Sequence, residues 1–240
     1  MNKIALHPVR VAVSPGPSTL PATASVWDRI WTQRGPVSKL IAAAREGMHA
    51  LHRAVLLPHL TPDTRLLELG CGPSTLTLSV ARRIRELVGM DISEEGLRQA
   101  RENQRRLGIA NATFVLADCH AVPFRDAFDV VWSAGLIEHF FERDIDVVRQ
   151  HLQAVKPGGL VLLSVPYRYS LHRLHYLLSR PRPLRWLWPW SDVRNFQRFY
   201  SHRQLRSLGS RLGIPTRVFL LPPFPLGLLI GIILLEIRKS

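Results

Sequence analysis

From Arg65 onward the chain alternates short apolar runs with capped amphipathic segments. The runs Arg65 to Leu69, Leu87 to Met90, Thr113 to Leu116, Phe128 to Trp132 and Leu160 to Val165 are too short for buried helices. Their nearly continuous apolar character is that of parallel strands covered on both faces. Between them, Ser93 caps a segment with Leu97, Ala100 and Leu107 on one side and Gly108 at its end. A second segment carries Ile145, Val148, Leu152 and Val155 and stops before Pro157. In a third, Ser201 and Gln204 make a capping box, Leu205, Leu208 and Leu212 form the stripe, and Gly213 ends the helix. Ahead of the first strand, Pro36 to Leu57 places Leu40, Ala44, Met48, Leu51 and Val55 at helical spacing, closed by Pro58. Strands alternating with helices predict an α/β architecture in which crossover helices cover both faces of the sheet.

The stretch Val218 to Ile237 is long enough to raise a membrane span, but Pro222, Pro223, Pro225 and Glu236 interrupt it. Two strands fit better. Arg217 to Leu221 and Gly231 to Ile237, joined by Pro-rich sequence, predict an antiparallel C-terminal end to a seven-stranded, mostly parallel sheet. There is no internal repeat and no long low-complexity tract.

At 240 residues the chain has length for one sizeable core. Met1 to Ala24 contains Pro8, Pro15, Pro17 and Pro21, which break any signal-peptide core, and it has no acid, a trait shared with organelle transit peptides. A flexible tail over 1–35 and one domain over 36–240 are expected, in a cytoplasmic protein. The formal charge of +14 predicts attraction to phosphates, anionic lipid or nucleic acid. Nearly all the basic residues are Arg, since Lys3, Lys39, Lys156 and Lys239 are the only lysines. Cys71 and Cys119 lie in separate segments without metal-ligand spacing, so neither a disulfide framework nor a metal site is expected.

The run Leu66-Leu67-Glu68-Leu69-Gly70-Cys71-Gly72-Pro73-Ser74-Thr75 passes from a strand through a glycine turn into a helix bearing Leu76, Val80 and Ile84. Without Cβ atoms, Gly70 and Gly72 allow close backbone approach, and a helix N-terminus offers N–H groups. A dinucleotide fingerprint would place glycine where Thr75 stands, and a P-loop would end in Gly-Lys-Ser/Thr; neither is present. Asp91 closes the second strand about 20 residues on, where a carboxylate accepts hydrogen bonds from ribose hydroxyls. An adenosine-containing ligand suits the pair.

Six segments carry a family resemblance: Glu68-Leu69-Gly70-Cys71-Gly72, Val88-Gly89-Met90-Asp91-Ile92-Ser93, Ala117-Asp118-Cys119-His120-Ala121-Val122-Pro123-Phe124, Phe128-Asp129-Val130-Val131, Glu138-His139 and Lys156-Pro157-Gly158-Gly159. In order and spacing, over roughly residues 60–165, they resemble the class I S-adenosylmethionine-dependent methyltransferases. The likeness is to the type 11 branch that includes ubiquinone and menaquinone biosynthesis enzymes. The resemblance implies a Rossmann-like fold and S-adenosylmethionine as cofactor. It places Gly70 and Gly72 at the methionine portion, Glu68 near the ammonium group through water, Asp91 at the ribose and Asp118 at the adenine amino group, with Cys71 and Ile92 among the cofactor contacts. Cys119 would offer its backbone N–H to the adenine, leaving its thiol dispensable. Many relatives carry a third glycine where this chain has Ser74, a residue less tolerant of positive φ.

Methyl transfer asks a protein mainly for orientation and exclusion of water, with a base only where the acceptor must lose a proton. After Trp132, Ser133 is a further cofactor contact and His139 the catalytic candidate; a structural hydrogen-bonding role for His139 is preferred. Asp129 reads as a structural acid. Residues 166–200 form an Arg- and Trp-rich insertion with Trp186, Trp188 and Trp190, expected to act as an acceptor-side lid. That composition suits a small-molecule or lipid-like acceptor and peripheral contact with an anionic membrane. RNA is the second acceptor class, and a non-catalytic binding protein on the same fold is the alternative outside enzymes.

Overall fold

The computed structural model describes residues 24–32, 47–178 and 197–240. Seven strands, β1 (Arg65–Leu69), β2 (Glu86–Asp91), β3 (Ala112–Leu116), β4 (Phe128–Ala134), β5 (Val155–Pro166), β6 (Thr216–Leu221) and β7 (Ile232–Arg238), form one sheet in the order β3-β2-β1-β4-β5-β7-β6. Strands β1 to β5 pair in parallel, with Leu67 facing Val88 on β2 and Val131 on β4. Strand β7 runs against both β5 and β6, so one reversed strand makes the C-terminal end antiparallel as expected. Among the described residues no helix is long and apolar enough to cross a membrane.

The helices are α1 (Ala24–Thr32), α2 (47–56), α3 (Thr75–Leu78), α4 (Glu94–Leu107), α5 (Asp144–Ala154), α6 (Leu171–Leu178), α7 (His202–Leu212) and α8 (Leu226–Ile230). Successive side chains along a strand point to opposite faces, and here both faces are covered. Leu67, Val131, Val161, Leu163, Ile233 and Leu235 pack with Ile145, Val148 and Leu152 of α5 and with Leu205 and Leu208 of α7. Leu66, Val130, Leu160, Leu162 and Leu234 pack with Leu56 of α2, Leu76 of α3, and Leu97 and Ala100 of α4. Each fully buried aliphatic side chain contributes about 1.5–3 kcal/mol, which is why the strands tolerate so few polar residues.

Capping follows the sequence closely. Ser93 accepts from the Gly96 N–H at 3.0 Å and Gly108 ends α4 in the left-handed region, while Ser201 and Gln204 form both bonds of the capping box on α7. Three local expectations change. The helix after the glycine turn stops at Leu78 and a separate 3₁₀ turn covers Ala81–Arg83. Val155 opens β5 instead of closing α5, since it pairs with Phe128. Within the expected tail, residues 24–32 are helical. Val26, Trp27 and Ile30 close on Phe141, a compensation that only the folded chain supplies. Of the expected helix before the sheet, 36–46 lie outside the described residues, as do the remainder of the tail and most of the lid, Trp186, Trp188 and Trp190 included.

Candidate functional site

The glycine turn, Asp91 and Asp118 stand at the carboxyl ends of β1, β2 and β3. Gly70 and Gly72 take φ of 68° and 46°. The N–H groups of Gly70 and Cys71 donate to the Met90 carbonyl at 2.8 and 3.1 Å, and that of Gly72 donates to Asp91 Oδ2 at 2.7 Å. The turn's own donors are therefore spent on β2, and its close approach is through Cα edges. A Cβ on Gly72 would lie 2.5 Å from Trp31 Cζ2, so the tryptophan of α1 borders the turn directly.

Asp91 accepts from the Ser93 N–H at 2.8 Å through its other oxygen. Burial raises its pKa, while the N–H groups of Ser93, Gly72 and Ile92 oppose the rise. Beside it Ile92 keeps an exposed apolar face. The main chains of β2 and β3 stay joined past the strands, the Ala117 N–H donating to the Asp91 carbonyl at 3.0 Å.

Asp118 is held by its own turn. Oδ1 accepts from the His120 N–H at 2.8 Å and lies 2.9 Å from His120 Nδ1. His120 is the main reason that its carboxyl stays below the ordinary range, and the Cys119 thiol adds to it. That thiol, expected to be dispensable, is buried, pushed well up in pKa, and supports Asp118. His120, which the sequence reading did not single out, stacks edge-on to Phe140 at 4.6 Å. One potential metal-ligand atom each from Asp118, Cys119 and His120 falls within 4.8 Å of the others; Asp118 Oδ1 and His120 Nδ1 are engaged with each other, while buried His120 Nε2 has no hydrogen-bond partner among the described residues.

Two expected cofactor contacts turn inward. Glu68 is buried below the turn, where Ser74 Oγ donates to its Oε2 at 3.0 Å and Thr77 Oγ1 donates to the same oxygen. Burial pushes its pKa up to about 7, against the two hydroxyls, which lower it. It braces the turn. Ser74 occupies the left-handed region at φ 53°, and its hydroxyl bond to Glu68 ties that conformation down. Ser133 lies within β4, with its hydroxyl 3.0 Å from Nε2 of buried His151. Since His151 Nδ1 sits 2.7 Å from the Val147 carbonyl, Nδ1 carries the proton and Nε2 accepts from Ser133.

After β4, a 3₁₀ turn over Ile137–His139 buries both Glu138 and His139. The His139 ring meets Trp27 of α1 edge-on at 5.0 Å. Glu138 Oε2 has no hydrogen-bond partner among the described residues, and burial pushes the carboxyl up to about 8. Helix α1 is the part of the site that sequence reading missed. Asp28 accepts from Ser93 Oγ at 2.5 Å and from the Glu95 N–H at 3.1 Å, and Gln99 Nε2 donates to the Trp31 carbonyl at 2.8 Å. Trp27, Ile30 and Trp31 at helical spacing were the available signal. Asp129 is structural as expected, accepting from the Arg65 N–H at 2.8 Å and from Lys156 Nζ at 2.6 Å.

Residues 66–159 match the family described as a methyltransferase domain. The ubiquinone biosynthesis O-methyltransferase of Photorhabdus laumondii is 34% identical over 102 residues, which are 42% of this chain and 42% of that protein. The chain thus spans about two fifths of that relative's length. A 23S rRNA (uracil(1939)-C(5))-methyltransferase of Stenotrophomonas maltophilia is 48% identical over 56 residues, 23% of this chain and 13% of that one. Among solved structures, magnesium protoporphyrin IX methyltransferase from Synechocystis, with bound SAH, superposes with a TM-score of 0.65 at 19% identity, covering 90% of this chain and 94% of that one. Strand order, ordered motifs and the domain match agree, and residues 66–159 carry the likeness to the methyltransferase domain on a sheet of the same fold as that solved structure.

Proposed function

We propose that the protein transfers a methyl group from S-adenosylmethionine to an oxygen, nitrogen or carbon nucleophile on a small-molecule or lipid-like acceptor. The observation that carries this reading is the glycine turn bonded to Asp91, next to Asp118 on the adjoining strand end. The donor set fits the cofactor. Asp91 supplies carboxylate oxygens for ribose hydroxyls, Ile92 an apolar face, and Asp118 the oxygen not taken by His120 for an adenine amino group. Gly70, Cys71 and Gly72 admit the chain of the ligand at Cα distance, and the Cys119 N–H serves the adenine ring. Glu68 and Ser133 hold the scaffold through Thr77 and His151.

When bound, S-adenosylmethionine supplies a sulfonium methyl for in-line displacement. The protein's own part is orientation and exclusion of water. Helix α1 contributes by laying Trp31 on the turn and Trp27 on His139. His139 accepts a proton only where the nucleophile must lose one. The relatives' acceptor chemistry, ubiquinone biosynthesis, supports a small-molecule or lipid-like class, and the basic, Trp-rich composition of 166–200 supports peripheral contact with an anionic membrane. RNA is the second reading, carried by the rRNA methyltransferase match; its binding would weaken steeply with salt.

Calorimetric titration of S-adenosylhomocysteine tests the cofactor site. Wild type binds, and Asp91→Asn, checked for folding, binds roughly ten- to hundred-fold more weakly, as expected for losing hydrogen bonds to a charged group worth about 1.5–3 kcal/mol. Folded wild type that binds NAD but not S-adenosylhomocysteine overturns the reading.

A further inference from the structure

Large apolar side chains are exposed together where α6 meets α8. On α6, Leu171, Leu174 and Leu177 recur every third residue and are 53, 50 and 41% exposed. On α8 and the loop before it, Phe224, Leu226 and Leu229 are 74, 56 and 55% exposed. The rest of α8 is anchored. Gly227 is buried, and Leu228 and Ile230 pack against the two cores. The two helices are also locked to each other. The Tyr167 N–H donates to the Gly231 carbonyl at 2.7 Å, and a Cβ on Gly231 would lie 2.6 Å from Ser170 Oγ and 2.9 Å from His172 Cβ. The exposed leucines therefore belong to a braced platform, not to a loose loop, and grouped exposed apolar surface of this kind marks a contact site.

The platform sits at the same end of the sheet as the glycine turn. Helix α6 follows the carboxyl end of β5, and α8 joins the carboxyl end of β6 to the start of β7, where Pro166 and Leu221 both pair with Ile232. Charge selects the occupant. The platform's own segments, 167–174 and 222–231, carry Arg168 and Arg173 and no acid. At the start of α6, exposed Arg168 adjoins Arg173, whose Nη1 donates to the Arg168 carbonyl at 3.3 Å. A second copy of so basic a surface is repelled, while an anionic one is attracted. Exposed leucine and phenylalanine among arginines are the composition of helices that lie in a bilayer interface.

We infer that the α6–α8 platform docks on an anionic lipid bilayer, setting Phe224, Leu226 and Leu229 with the leucines of α6 into the headgroup region. The inference deepens the lipid-like acceptor reading and rests on it for its meaning, since it turns the carboxyl end of the sheet toward the phase from which such an acceptor would come.

Co-sedimentation of the full chain with phosphatidylcholine vesicles, with and without phosphatidylglycerol, tests it. Wild type partitions onto the anionic vesicles. Phe224→Ser/Leu229→Ser and, separately, Leu171→Ser/Leu174→Ser partition at least about ten-fold more weakly, which is ~1.4 kcal/mol, with unchanged thermal unfolding midpoints. Equal partition of wild type and both variants, or no partition of wild type, overturns the inference. So does a dimer in sedimentation velocity that either variant makes monomeric, which would assign the face to a second copy. S-adenosylhomocysteine titration of the same preparations separates the two readings: lost cofactor binding with vesicle partition intact removes the methyltransferase reading and leaves the docking surface standing.

Discussion

Replacing Glu138 with glutamine tests whether the turn after β4 buries an unpaired carboxyl. Burial pushes this group from an ordinary 4.5 up to about 8 in the folded protein, and Oε2 meets no partner among the described residues. Between these two values the native state holds a proton that the unfolded chain has released, so stability falls as pH rises through the window from 4.5 to 8. Each pH unit is worth about 1.4 kcal/mol while the proton difference is complete. Because half the native proton is gone at pH 8, the loss between pH 6 and pH 8 comes to roughly 2 kcal/mol. The amide that replaces the carboxyl has nearly the same shape and no proton to lose. Urea unfolding of wild type and Glu138→Gln at pH 6, 7 and 8 gives the difference directly. The other titrating groups, Glu68, His52 and His151 among them, cancel in it, as does any constant cost of the amide. Glu138→Gln is expected to gain about 2 kcal/mol on wild type from pH 6 to pH 8. Parallel stability profiles would refute the reasoning and show that the carboxylate finds a partner or water.

His151 titrates in the opposite sense. Burial pulls its pKa from 6.5 down to about 4, against a smaller upward pull from the Val147 carbonyl, so its stability contribution is present above pH 6.5 and lost as pH falls toward 4. Wild type should lose about 2 kcal/mol relative to His151→Gln between pH 8 and pH 5, read from the same urea titrations. At the turn, Gly72→Ala sets a Cβ 2.5 Å from Trp31 Cζ2 and strains a φ of 46°. It should cost roughly 1–2 kcal/mol of stability and weaken S-adenosylhomocysteine binding in calorimetry. Unchanged binding would mean that α1 yields freely there.

Much of the site is legible along the chain because its parts are local. Gly70, Gly72 and Asp91 fall within one strand–turn–helix–strand unit, and the bond from the Gly72 N–H to Asp91 follows from strand pairing of β1 with β2. The direction of single side chains is less legible. Glu68 and Ser133 have the residue type and position of ligand contacts, yet Thr77 and His151 draw them inward. Those partners sit 9 and 18 residues away on other elements, and which polar side chain meets which is set only when those elements pack. His120 escaped notice for a related reason. Its bond to Asp118 depends on the backbone bending back within two residues, which composition does not reveal.

The sequence by itself determined the elements and their ends. Apolar strands, the Ser93 cap, the Ser201–Gln204 box and Gly213 each depend on residues a few positions apart, where solvation and hydrogen bonding act locally. Tertiary structure alone decided that β7 would insert between β5 and β6, and that residues 24–32 would leave the expected tail to close over α4 through Asp28 and Trp31. It also left Leu171, Leu174 and Leu177 of α6 and Leu226 and Leu229 of α8 exposed. These outcomes turn on which apolar faces find partners across distant parts of the chain, and that is settled only when the sheet has both faces covered.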